Sequence, residues 1–312
     1  MAPTLRQFPV SLDVELDSRC NLRCPMCPRT QQGFAREGMG AMSWKILGRV
    51  AREVKNWRDS EVPCKWIWAH LAGESLLNVD APEMIHELVE AGSHGDQPFS
   101  VALSTNATRL TDDMIQRLLS SGLHRLILSI DGVTKETYEG VRVGAKFEQV
   151  MDRVDATLKE AGRRHDYKMP TPQIWIQILK LPETELEVLD FIHKYSTNQT
   201  KKVKKYQQLK DEVPGRVFAK SVERFGGQVE SVVGTWGWDG AANRRKTCTK
   251  LWQRTAIFSD GDVGICCYDL GKRHVLGSLN GNSIHGVWLS EPYQKLRKGF
   301  LKGDYPELCK DC

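Results

Sequence analysis

Asp17-Ser-Arg-Cys20-Asn-Leu-Arg-Cys24-Pro-Met-Cys27-Pro28 puts three cysteines on one short loop at C-x3-C-x2-C spacing. Three thiolates so close together can hold three irons of a 4Fe–4S cube and leave the fourth iron open to a ligand that is not protein. The competing chemistry, structural zinc, takes four protein donors, often as two C-x2-C pairs, and this loop supplies three. Upstream, residues 10–16 alternate apolar and polar with period two and predict a first strand. The cysteines therefore follow a strand end.

Working outward, strand-like and helix-like stretches alternate. The pattern predicts further strands over 65–71, 99–104, 125–130, 173–179 and 216–222. It predicts helices over 43–57, 82–91, 111–121, 147–161 and 183–195. In the first helix Ile46, Leu47, Val50 and Val54 share one face. Such repetition predicts an α/β fold with a parallel sheet, whose chemistry gathers at the C-terminal strand ends. Each distinctive loop here follows a strand. Residues 225–245, rich in Gly and Trp, read as a linker between a first domain, 1–224, and a cysteine-rich module, 246–312.

Composition narrows the classes. A hydrophobic fraction of 40% and a charged fraction of 27% are those of a globular chain rather than a disordered one. No apolar run approaches a membrane span, and the N-terminus lacks a signal-type apolar core, so a cytoplasmic location without a membrane partner is the expectation. Nine cysteines in such a chain point to ligands and reactive thiols, not disulfides. The lysine run 201–205 lacks interleaved aromatics and reads as a solvated face, so nucleic acid is not an expected partner.

The cysteine loop resembles that of the radical S-adenosylmethionine (SAM) superfamily, in which a hydrophobic or aromatic residue, here Met26, precedes the last cysteine. The resemblance implies a partial (β/α)6 barrel and a 4Fe–4S cluster on Cys20, Cys24 and Cys27. The open iron would take the amino and carboxylate groups of SAM. A flavodoxin- or ferredoxin-type reductant would drive release of a 5′-deoxyadenosyl radical. Ala72-Gly73-Glu74-Ser75 resembles the second-strand Gly-Gly-Glu-Pro motif, with Ala72 and Ser75 as departures. Gly73 lacks the Cβ that would block close approach, and Glu74 offers an acceptor to the methionyl ammonium. Ser104-Thr105-Asn106 resembles the third-strand Thr-Asn-Gly, and Ser129-Ile130-Asp131-Gly132 the fourth-strand Ser-Ile-Asp-Gly. Arg142 resembles an arginine that pairs with the SAM carboxylate. The resemblance thus assigns Gly73, Glu74, Ser75, Asn106, Ser129, Asp131 and Arg142 to the SAM pocket. Polar residues after strands also serve as turns and caps.

The C-terminal module holds Cys248, the pair Cys266-Cys267, and Cys309-x2-Cys312. Residues 257–266 predict a hairpin turning on Asp260-Gly261. The set resembles the SPASM/twitch modules that follow many radical SAM barrels. Those modules carry seven cysteines in full form, and five here imply one auxiliary 4Fe–4S cluster, closed by four protein ligands and suited to electron transfer or structure. Structural zinc on Cys248, Cys266, Cys309 and Cys312 is the alternative. Adjacent strand residues face opposite ways, so one of Cys266 and Cys267 ligates; the spacing in aminocyclitol dehydrogenases of the family favours Cys266. Cys64, at the start of the second strand, reads as a packing thiol.

Two outcomes compete after hydrogen abstraction. If Cys267 faces the barrel mouth, its weak S–H bond can return a hydrogen atom, as a donor cysteine does in family epimerases acting on aminoglycosides and peptides. Alternatively the substrate radical loses a proton and gives an electron to the auxiliary cluster, turning a carbinol into a ketone. Epimerisation with Cys267 as the catalytic donor is the leading expectation, and dehydrogenation the second. A first strand starting by residue 10 leaves no room for the leader-binding domain of many peptide-modifying relatives. A small polar substrate is therefore expected, an aminoglycoside, aminocyclitol or sugar, with a peptide as the alternative. Asp239, Asp260, Asp262 and Asp269 are candidates to bind an aminated sugar.

Overall fold

The computed structural model describes residues 5–33, 39–57, 64–93, 99–196, 216–221 and 248–310. The linker 225–245, the lysine run 201–205, Asp239 and Cys312 lie outside the described residues. Six parallel strands lie side by side in chain order: β1 (Ser11–Val14), β2 (Trp66–Trp68), β3 (Ser100–Thr105), β4 (Arg125–Ser129), β5 (Gln173–Lys180) and β6 (Arg216–Ser221). Parallel neighbours cannot be joined by a hairpin, so a crossover must return the chain to the same end of the sheet. The helices Trp44–Trp57, Ala81–Ser93, Asp112–Ser120, Phe147–Asp166 and Glu187–Ser196 stand in the first five connections. The result is the parallel α/β sheet that the alternation predicts, in the partial (β/α)6 arrangement that the resemblance implies.

One face of this sheet is apolar. Leu12, Val14, Ile67, Val101, Leu103, Leu126, Leu128, Ile174, Ile176 and Ile178 are buried there in one core with Leu47, Val50 and Val54 of the first helix. Burying each such side chain stabilises the fold by about 1.5–3 kcal/mol. The other face is aromatic and polar. Trp66, Trp68, Trp175 and Phe218 are part-exposed on it. The Arg125 guanidinium lies between Trp66 and Trp175, 4.5 and 3.8 Å from their ring centroids, at the N-terminal strand ends. That sandwich floors the barrel at the end away from the cysteine loop.

β1 departs from a simple inside–outside alternation, because both its faces are buried. Asp13, Glu15 and Asp17 are 2%, 1% and 1% exposed. Unpaired, such carboxylates would cost several kcal/mol each, and all three have partners. Arg254 Nε donates to Asp13 at 2.7 Å. Glu15 accepts from the Ala72 and Ser259 N–H groups at 3.4 and 3.2 Å. Arg19 Nη2 meets Asp17 at 2.6 Å. The cause is a second neighbour. β7 (Arg254–Ile257), from the C-terminal module, pairs parallel with the free edge of β1, from Ser11↔Arg254 to Val14↔Ile257. β8 (Asp262–Gly264) and β9 (Val275–Ser278) follow antiparallel. The module extends the barrel sheet instead of sitting apart from it. Its hairpin turns where expected, with Gly261 at φ +91°.

Three elements differ from the sequence reading. β2 stops at Trp68, because the Ser104 N–H goes to the His70 ring (3.0 Å) and not to a strand carbonyl. A helix at Lys135–Val141 was not foreseen; Thr134 caps it by accepting the Thr137 N–H at 3.3 Å. The stretch 183–195 divides into a 3-10 turn, Pro182–Thr184, and the helix Glu187–Ser196. Among the described residues, no helix is long and apolar enough to cross a membrane.

Glu53, on the first helix, accepts the Ile284 N–H at 2.8 Å and the His285 N–H at 3.3 Å, holding the start of the helix Ile284–Trp288. Hydrogen bonds to a charged group contribute about 1.5–3 kcal/mol. Glu53→Ala is expected to lower the unfolding free energy by about that amount in urea titrations, and Glu53→Gln by less.

Candidate active site

The cysteine loop is held from several directions. Within it, Cys27 N–H donates to Cys24 O (3.0 Å), and the Thr30 and Gln31 N–H groups donate to Cys27 O (2.9 and 3.1 Å) as the short helix Pro28–Gln31 begins. Arg29 donates to Ser18 O. Glu74 N–H donates to Arg19 O at 2.7 Å, and Arg23 N–H to Val143 O at 2.9 Å. Asn21 donates to Thr108 Oγ1 at 2.9 Å and accepts from Asn106 Nδ2 at 3.2 Å.

Cys20, Cys24 and Cys27 line one cavity of about 240 Å³ together with His70, Gly73, Glu74, Asn106, Ser129, Arg142 and Lys220. Burial raises all three thiols above their ordinary range, and each also senses a neighbouring cysteine of the trio. Three soft sulfur donors converging on one cavity fit an iron–sulfur cube with one open corner.

Gly73 proves to be a packing necessity. A Cβ there would lie 2.1 Å from Asp17 O and 2.6 Å from Arg19 O, both backbone atoms of the cysteine loop. Glu74 is 4% exposed, and its oxygens accept from Thr105 Oγ1 (2.8 Å), Asn106 N–H (2.8 Å) and Leu76 N–H (3.2 Å). Burial pushes its carboxyl up, while the Asn106 N–H and Thr105 hydroxyl pull it down. It braces the second-strand turn against the third, with its edge on the cavity. Asn106 accepts the Thr108 N–H and hydroxyl at 2.9 and 2.6 Å. Where the related motif has Gly, this chain places Ala107 at φ +63°, a left-handed conformation that costs a non-glycine residue about 1–2 kcal/mol.

Two residues assigned to the pocket do not reach it. Ser75 is 1% exposed and donates to Ala69 O at 2.7 Å, closing the turn instead of facing the cavity. Asp131 is fully buried behind Arg142, accepting the Leu179 N–H at 2.7 Å and pairing with Arg142 Nη2 at 2.5 Å. His70 and Lys220 were missed. The only signal for His70 was a polar residue directly after an apolar strand. Its Nδ1 accepts the Ser104 N–H, so Nε2 carries the ring proton.

At the C-terminus, Cys248, Cys266 and Cys309 pack into a second core with Leu251, Trp252, Ile265, Phe300 and Leu308. Burial, then Cys267, raises the Cys266 thiol well above its usual range, and Tyr268 N–H donates to its sulfur at 3.4 Å. Cys266 and Cys267 lie in a turn after β8, not on a strand, so strand alternation does not decide which of them ligates. Cys267 is not among the residues lining the cavity. Its sulfur lies 3.8 Å from Lys250 Nζ, which also sits 3.3 Å from the Tyr268 ring centroid. Cys64 is buried as expected, and burial pushes its thiol up to about 12. The acidic candidates have local partners. Asp262 meets Lys272 Nζ at 2.7 Å, Asp260 pairs with the same ammonium, and Asp269 accepts the Arg273 and His274 N–H groups at 2.8 and 2.7 Å.

Gly73→Ala should therefore displace the cysteine loop: bound iron after anaerobic reconstitution and the melting temperature are both expected to fall, and wild-type iron content would contradict this seat. Burial first, then Arg254 and Lys220, hold His70 down to about 3 from 6.5. Between those values the unfolded chain binds more protons, so stability rises with pH across that window. Urea unfolding at about pH 5 and about pH 7.5 should show a steeper acid loss for wild type than for His70→Asn, which cannot titrate.

Comparison with known proteins agrees with this geometry. The Radical SAM superfamily matches residues 14–195, and SPASM, an iron–sulfur cluster-binding domain, matches residues 248–312. A probable GTP 3′,8-cyclase of Methanococcus maripaludis is 25% identical over 149 residues, 48% of this chain and 45% of that protein. The chain thus spans less than half the length of that curated relative. In fold, the chain resembles BtrN in complex with AdoMet and 2-DOIA (TM-score 0.60, 16% identity, 100% of this chain and 94% of that one). It also resembles Streptococcus suis SuiB bound to precursor peptide SuiA (TM-score 0.60, 17% identity, 96% and 71%). Since the superfamily match covers more than half of the sequence and falls on the strands, the cysteine loop and the cavity just described, the chain belongs to the radical SAM superfamily and carries a SPASM domain.

Proposed function

We propose that this radical SAM enzyme oxidises a carbinol carbon of a small polar substrate to a ketone, with the SPASM cysteines holding the electron acceptor. When bound, the N-terminal cluster supplies an electron to the SAM sulfonium, SAM supplies the abstracting 5′-deoxyadenosyl radical, and the auxiliary cluster supplies a one-electron sink. The net reaction balances. The SAM cation and a secondary alcohol give methionine, 5′-deoxyadenosine, a ketone and one proton, and the priming electron is recovered. A flavodoxin- or ferredoxin-type protein provides that electron.

The chain's own residues divide the work. Cys20, Cys24 and Cys27 hold the first cluster, and Cys248, Cys266, Cys309 and Cys312 the second. Gly73, Glu74 and Asn106 shape the SAM side of the cavity, and His70 and Ser129 present polar atoms to it.

The observation that carries oxidation over epimerisation is the place of Cys267. It does not line the cavity, and its sulfur faces the Lys250 ammonium. A hydrogen-atom donor has to reach the substrate radical in the cavity, and from this position the Cys267 sulfur does not. The small-substrate reading is supported by BtrN, whose complex contains 2-DOIA and which is matched over 94% of its length. SuiB, whose complex contains a peptide, is matched over 71%.

Anaerobically reconstituted protein given SAM and dithionite is expected to release 5′-deoxyadenosine, and Cys20→Ala, Cys24→Ala and Cys27→Ala are expected to abolish release. Aminocyclitols and amino sugars deuterated at carbinol carbons then identify the substrate by deuterium in 5′-deoxyadenosine. With that substrate, Cys267→Ala should keep turning over and form ketone. Loss of turnover, or a stalled product of unchanged configuration, would move the assignment to epimerisation.

A further inference from the structure

Arg142 is committed on both arms of its guanidinium. Nη1 donates to Cys24 Sγ at 3.9 Å, and Nη2 meets Asp131 Oδ2 at 2.5 Å. Asp131 is itself fixed, because its other oxygen accepts the Leu179 N–H of β5 at 2.7 Å. The root of the arginine is fixed too: its own N–H closes the helix Lys135–Val141 on Tyr138 O at 2.7 Å. Tyr138 is fully buried beside this group, and neither its hydroxyl nor Arg142 Nε has a hydrogen-bond partner among the described residues. The Arg142 side chain is 13% exposed. A nearly buried cation is therefore locked against one sulfur of the trio.

We propose that Arg142 is a positioning residue that sets how readily the N-terminal cluster accepts an electron, acting through the Cys24 sulfur, with Asp131 as its counterweight. Reduction adds one negative charge to the cluster. A neighbouring cation and an N–H donor to sulfur both stabilise the reduced form and raise the potential. In a low-dielectric interior that charge acts more strongly than it would in water. Asp131 partly cancels it, so the pair sets an intermediate value. This role differs from pairing with the SAM carboxylate, since it operates before SAM binds. It rests on Cys24 being a cluster ligand; if it is not, Cys24→Ala will keep wild-type iron content, whatever Arg142 does.

The test is an EPR-monitored redox titration of reconstituted full-length protein without SAM, the N-terminal signal being assigned by its change when SAM is added to a parallel sample. For Arg142→Gln, the reduced-to-oxidised ratio at the wild-type midpoint is expected to fall about tenfold, equal to about 59 mV for one electron. Asp131→Asn keeps an oxygen for the Leu179 N–H but drops the charge, and the ratio is expected to rise. A ratio within about twofold of wild type, roughly 18 mV on the same scale, or a shift of opposite sign, in either iron-loaded variant overturns the proposal. If Arg142→Gln takes up no iron, Asp131→Asn decides alone. Failure of both to load iron marks the group as structural and also overturns it. Weakened SAM binding with an unchanged potential would assign Arg142 to the cosubstrate instead.

Discussion

The cysteine loop rests on a backbone surface where no side chain fits. Gly73 lies so close to Asp17 O and Arg19 O that even one methyl group would collide with them. The loop therefore lies directly on the second-strand turn, and the Glu74 N–H takes up the Arg19 carbonyl. Once there, it is tied to the third-strand loop through Asn21, Asn106 and Thr108, and to the fourth through Arg23 and Val143. The sulfur positions are thus fixed by elements that contribute no sulfur. A metal site assembled this way is organised before metal arrives, and less ordering entropy is left to oppose binding.

β1 has a similar role on a larger scale. It is hydrogen-bonded on one side to β2 of the barrel and on the other to β7 of the C-terminal module. Its buried carboxylates turn that position into a joint. Asp13 reaches the β7 arginine, and Glu15 holds the Ala72 and Ser259 N–H groups at once. The first cysteine set lies on the loop that follows this strand, and Cys248 and Cys266 of the second flank the strands that extend the sheet from it. A shift of β1 would move both. An unpaired strand edge exposes backbone donors and acceptors, and pairing β7 there satisfies them while joining the two cores.

Much of this was legible in the sequence, and what was not has a common cause. Strand–helix alternation and the spacing of Cys20, Cys24 and Cys27 are one-dimensional patterns, and the fold follows them closely. The direction of a side chain is not such a pattern. Ser75 sits in a recognisable motif yet turns back to Ala69 O, and Asp131 sits in another yet stands behind Arg142. Strand alternation would separate Cys266 from Cys267, but Gly264 ends the strand and the chain turns before them. His70 was invisible for the opposite reason. A lone histidine after a strand has many uses, and only the Ser104 N–H on its Nδ1 shows that its other nitrogen is a donor.

The same contacts explain why the cavity can receive an anionic centre. A cube on thiolate ligands carries negative charge, and SAM adds a carboxylate. Two buried acids stand close by, and both have partners: Glu74 accepts from two backbone N–H groups and a hydroxyl, and Asp131 accepts the Leu179 N–H and is ion-paired with Arg142. The cavity wall itself includes Arg29, Arg142, Lys220 and the His70 ring. Burial and the neighbouring cations keep that ring neutral, so it adds a donor without adding charge. Burial raises each thiol of the trio, and a metal that binds the thiolates displaces those protons.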